Sequence, residues 1–111
     1  MPNTKVLNKN ELEKVVGGVS DADISEAVSI LQQISNEISN STLEDYYKSG
    51  IFYYINLVIE YLNHRDFYSA KIEYGSLMEN INNSAARWPG AFSDDFTDTI
   101  NGLGLIMNNI N

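Results

Sequence analysis

Residues 20–39 read SDADISEAVSILQQISNEIS, and their apolar spacing decides the fold. Ile24, Val28, Leu31, Ile34 and Ile38 recur at steps of four, three, three and four, which gathers all five on one face of a helix. Ser, Gln, Asn and Glu occupy the opposite face. Ser20 is a good N-cap, because its hydroxyl can accept one of the backbone N–H groups that a helix start leaves unpaired. Asp21 and Asp23 fall in the first turn, where negative charge suits the helix dipole. The spacing predicts a helix over 21–39 that buries one stripe against other elements.

Downstream the same period continues. Asn40-Ser41 breaks the first helix. Ser41-Thr42-Leu43-Glu44 then has the form of a capping box, so a second helix is expected from about 42 to 63. Its stretch Ile51–Leu62 is apolar nearly all round, with Asn56 and Glu60 inside it. Its β-branched and aromatic content also allows a strand, but its length and the capping box favour a helix. Asn63-His64-Arg65-Asp66 reads as a turn with Asp66 as the next N-cap. Phe67, Ala70, Tyr74, Leu77, Ile81, Ala85 and Trp88 follow at steps of three and four, giving a third helix over about 67–87 that Pro89-Gly90 stops. Ser93 can cap a fourth helix, with Asp94 and Asp95 in its first turn. Its stripe is Phe96, Ile100, Leu103, Met107 and Ile110, weakened by Gly102 and Gly104 at about 1 kcal/mol each relative to alanine. Four amphipathic helices joined by short turns make an all-α, antiparallel up-down bundle the economical fold.

Composition limits the function. The chain has 111 residues, enough for a single core of modest stability. It has no cysteine, which removes disulfides, thiolate metal sites and cysteine nucleophiles. Charge is uneven. Residues 1–18 carry three Lys against two Glu, whereas residues 19–111 carry four Lys and Arg against thirteen Asp and Glu, a net −9. A body this acidic repels phosphate backbones, so no nucleic-acid partner is expected, and it lacks the basic face that binds anionic lipid. The first thirty residues hold no apolar run of the Sec-signal kind, and no stretch approaches the ~20 apolar residues that span a bilayer.

Upstream of the first helix, Gly17-Gly18 is the clearest boundary in the chain. Leu7, then Glu11-Leu12, then Val15, then Gly17-Gly18 resemble the double-glycine leader of peptide bacteriocins and related secreted peptides. Asn8 departs from that pattern, where Ser is common, and the match covers about the first sixth of the chain. Leu7, Leu12, Val15 and Val16 can gather along one side of a short helix, a shape that suits a hydrophobic groove. The resemblance implies recognition by a peptidase-containing ABC exporter through Leu7, Glu11, Leu12 and Val15. It implies passage of Gly17 and Gly18 through a narrow cleft and cleavage before Val19. The expected organisation is a leader over 1–18 and a helical mature domain over 19–111.

Few other residues suggest chemistry. His64 is the single histidine and sits at a turn, where solvation or capping explains it. Asp94, Asp95 and Asp98 fit an ordinary first helical turn, with no Ca²⁺-site spacing. No cofactor or metal is expected, and nothing in the sequence points to an enzyme. All seven tyrosines fall in the second and third helices. Packing with hydroxyls at the surface is the plain explanation. The sharper reading makes Tyr53, Tyr54, Tyr61 and Trp88 a surface for a target-cell protein, a membrane interface or a second copy of the chain.

These features support a secreted bacteriocin-like helical protein. The alternative is a cytoplasmic four-helix interaction protein such as a bacteriocin immunity protein, an analogy of fold alone.

Overall fold

The computed structural model describes residues 20–110. Four helices make up the fold: α1 (Asp21–Ser39), α2 (Asp45–Asn63), α3 (Phe67–Arg87) and α4 (Asp94–Asn108). Three of the four starts are capped as the sequence predicts. The Ser20 hydroxyl accepts from the Asp23 N–H at 3.1 Å, the Asp66 carboxylate from Ser69 at 3.1 Å, and the Ser93 hydroxyl from Phe96 at 3.0 Å.

The start of α2 differs from the expected capping box. The Ser41 hydroxyl donates to the Ile38 carbonyl at 2.7 Å and accepts from the Leu43 N–H at 3.4 Å. It therefore finishes α1 instead of starting α2. Residues 42–44 stay outside the helix, Glu44 takes the N-cap position without a side-chain bond, and Leu43 is buried as a plug in the connection. A serine hydroxyl can satisfy either a preceding carbonyl or a following N–H, and here the helix-ending carbonyl takes it.

The α2–α3 turn is tight. Asp66 N–H reaches the Tyr61 carbonyl and Arg65 N–H the Leu62 carbonyl, the paired bonds of a Schellman ending. Arg65 holds the left-handed position, φ 58°, that glycine commonly fills.

Contacts between helix ends fix the topology. Lys48 Nζ on α2 donates to the Ser39 carbonyl at the end of α1, and Ser93 Oγ, just before α4, donates to Glu37 on α1. At the other end Arg65 pairs with Asp21, and Lys71 Nζ on α3 donates to the Ile110 carbonyl after α4. The helices therefore run up, down, up, down. α1 packs on α2 and α4, and α2 packs on α3. α3 and α4 face each other across a groove of about 370 Å³, whose walls include Met78, Ile81, Trp88, Phe92, Phe96 and Ile100.

The core follows the predicted stripes. Leu31, Ile34 and Ile38 of α1 meet Ile51, Ile55, Val58 and Leu62 of α2, with Leu77 and Ile81 of α3 and Leu103 and Met107 of α4. Full burial of each such side chain is worth ~1.5–3 kcal/mol. Ile110 lies beyond the end of α4 yet stays in the core.

Candidate functional site

The start of α2 and the end of α3 lie side by side at one end of the bundle. Tyr47 on α2 meets Trp88 edge-on, with ring centroids 4.4 Å apart. Arg87 lies over both rings, 5.7 Å from the Tyr47 centroid and 5.5 Å from that of Trp88. Tyr46 stands against Tyr47 at 5.1 Å and is 80% exposed.

Below this aromatic group the two helices leave a groove of about 840 Å³. Ser49 and Gly50 line it from α2, and Asn80, Asn83, Ser84 and Arg87 from α3. The helical period explains the set. Positions 80, 83, 84 and 87 share the α3 edge facing α2, just as 46, 47 and 50 share the α2 edge facing α3. Gly50 keeps the floor low, since a Cβ there would lie 3.7 Å from Asn80 Oδ1. Asn80 Nδ2 donates to the Ser76 carbonyl at 2.8 Å, which fixes the carboxamide and leaves Oδ1 turned toward the floor.

Ser84 is the unusual member. It is 3% exposed, and its hydroxyl has no hydrogen-bond partner among the described residues. A buried polar group without a protein partner is uncommon and marks a place for water or a ligand group. Arg87 is also distinctive. Of the four cations in the described residues, Lys48 and Lys71 donate to carbonyls and Arg65 pairs with Asp21, whereas Arg87 is held by ring faces. The lining contains no carboxylate, imidazole or thiol, so it offers binding groups: planar rings, carboxamides, hydroxyls and a guanidinium.

The residues singled out from the sequence fall in different places. Tyr53 and Tyr54 touch at 5.1 Å on α2; Tyr53 is 59% exposed and Tyr54 packs partly against the core. Tyr47, Tyr54 and Tyr61 recur every seven residues, which places all three along one side of α2. Tyr61 lies about 21 Å along the helix from Tyr47, so it sits at the far end from Trp88. The structure joins Trp88 to Tyr47, but none of Tyr53, Tyr54, Tyr61 and Trp88 lines the α2–α3 groove, and Trp88 is a wall of the α3–α4 groove. Leu7, Glu11, Leu12, Val15, Gly17 and Gly18 lie outside the described residues.

Other features have structural explanations. His64 Nδ1 donates to the Glu60 carbonyl at 2.9 Å, a capping role. Among the described residues no group of three His, Cys, Asp or Glu side chains could hold a metal ion. No helix among them is long and apolar enough to cross a membrane.

The sequence reading missed Gly50, Asn80, Asn83, Ser84 and Arg87. Their signal was a polar stripe at steps of three and four beside the apolar face of α3, and a solvated helix face gives the same stripe. Comparison with known proteins adds nothing to this geometry: no family model matches the chain, and neither a curated protein nor a solved structure matches it significantly.

Proposed function

We propose that the chain is the precursor of a small secreted bacteriocin-like helical protein, cut after Gly18 by a peptidase-containing ABC exporter. The observation that carries this reading is the spacing of Leu7, Glu11-Leu12, Val15 and Gly17-Gly18. One further fact supports it: the charge changes sign at the proposed cut, from +1 over residues 1–18 to −9 over residues 19–111.

The mature part would act as a folded protein. Small pore-forming peptides are commonly cationic, and a net charge of −9 does not draw a chain to anionic lipid. A target on another cell, reached through an exposed aromatic surface, suits this body better. The exporter supplies the peptidase residues.

The test is direct. Full-length chain is incubated with a leader-processing peptidase domain, and the intact mass of the product is measured. The expected product begins at Val19. An uncut chain, with no truncated form in producer medium, rejects the leader and leaves the cytoplasmic interaction protein as the better reading.

A further inference from the structure

We infer that the groove between the start of α2 and the end of α3 binds a neutral saccharide chain. The inference rests on the groove alone and holds whether or not the leader is cut. Four observations lead to it.

First, the site offers one exposed aromatic ring together with planar polar groups. Tyr46 lines the groove and is 80% exposed, with Tyr47 edge-on beside it. A pyranose ring has one face of C–H groups that lies flat on an aromatic ring, and its edge carries hydroxyls that need donors and acceptors. Asn80, Asn83 and Arg87 supply these beside the rings.

Second, the Ser84 hydroxyl is buried, lines the groove and has no protein partner among the described residues. A ligand hydroxyl both donates and accepts, so it can satisfy the serine in either sense. An apolar occupant would leave the orphaned group more costly than water does.

Third, aliphatic residues are scarce in the lining. Ala86 is the one aliphatic residue in it, so a branched aliphatic side chain would find no matching aliphatic wall.

Fourth, the electrostatics disfavour anionic ligands. The chain carries a net −8, and Glu44 and Asp45 sit beside Tyr46 at the start of α2. The Arg87 guanidinium lies over two ring faces. A polyanion would be repelled at range and meet one cation on arrival. Neutral sugar avoids that cost.

The groove volume of about 840 Å³ falls within the ~300–1,000 Å³ range of small-ligand sites.

The experiment is a titration of isotopically labelled full-length chain, followed by backbone amide NMR shifts. Chitotetraose and maltotetraose are the neutral probes, and the tetrapeptide Ala-Ala-Ala-Asp is the acidic comparison. At least one sugar is expected to shift Tyr46, Gly50, Asn80, Ser84 and Arg87 in a saturable way, with the apolar α3–α4 groove unmoved. Ser84→Ala removes a hydroxyl that supports no protein contact, so the fold should stand while sugar affinity falls about fivefold. Gly50→Leu puts a bulky side chain at the floor, where a Cβ has Asn80 Oδ1 at 3.7 Å as its neighbour, and should abolish the shifts. The inference is overturned if neither sugar moves these residues up to its solubility limit. It is overturned equally if the peptide binds there and the sugars do not, or if Gly50→Leu and Ser84→Ala bind sugar as the parent does.

Discussion

The Tyr47 ring stands edge-on to Trp88 with centroids 4.4 Å apart, and this contact ties the first turn of α2 to the C-cap of α3. Two helices antiparallel by topology are joined here by an aromatic pair at the end where α3 stops. A pair of this geometry is worth ~0.5–1.5 kcal/mol beyond the area it buries. Trp88→Ala should lower stability by about 2–3 kcal/mol, below the range for a fully buried Trp because this one is half-buried. A double-mutant cycle with Tyr47→Ala, read from urea midpoints, should return a coupling of ~0.5–1.5 kcal/mol. Additive single effects would show that the rings merely share a neighbourhood.

Gly90 follows Pro89 in the α3–α4 connection with φ 87°, and no atom lies within 4 Å of where its Cβ would be. The position therefore separates backbone strain from packing. Gly90→Ala should cost about 1 kcal/mol through conformation alone, with an unchanged denaturant slope. A loss of several kcal/mol would mean that the turn, and with it the entry to α4, rearranges.

Gly18→Val tests the proposed leader. A narrow cleft that admits Gly17-Gly18 should reject a branched side chain next to the scissile bond, so secretion of the mature form should be lost while the intact precursor accumulates in the cell. Export at the parental level would contradict the narrow-cleft argument.

Three helix starts were legible in the sequence because Ser20, Asp66 and Ser93 each have one helix to serve. Ser41 was not, because it stands between two helices and its single hydroxyl went to the Ile38 carbonyl. Sequence spacing gives the face a residue occupies, not which of two competing partners it satisfies. The four helices and their core stripes follow from period alone, and Gly102 and Gly104 sit within α4 as the stripe requires. The groove was hidden for a different reason. Asn80, Asn83 and Arg87 read as a solvated helix face until the start of α2 lies beside them. What marks the site, the unpartnered hydroxyl of Ser84, is a property of the packed pair of helices and of neither helix alone.

Tyr74 offers a test of packing between α3 and α4 through alkaline pH. Its hydroxyl lies against Gly104, where a Cβ would come within 3.3 Å, and burial raises its pKa above the ordinary 10.0 because the phenolate would lose solvation. The sign follows from proton counting. Above pH 10.0 the unfolded chain gives up this proton while the folded chain still holds it. The folded state then binds more protons, so each step up in pH favours unfolding until the folded phenol also ionises. Stability should be insensitive to this group below pH 10.0 and fall through the window above it. Tyr74→Phe removes the titrating group, so the parent and variant stability curves should converge at lower pH and separate above 10.0, with the parent losing more. Urea melts across the alkaline range measure this, and the tyrosinate absorbance difference between the two proteins gives the folded pKa. Parallel curves through that window, or a Tyr74 difference spectrum centred at 10.0, would mean that water reaches the hydroxyl and that α3 and α4 do not close over it.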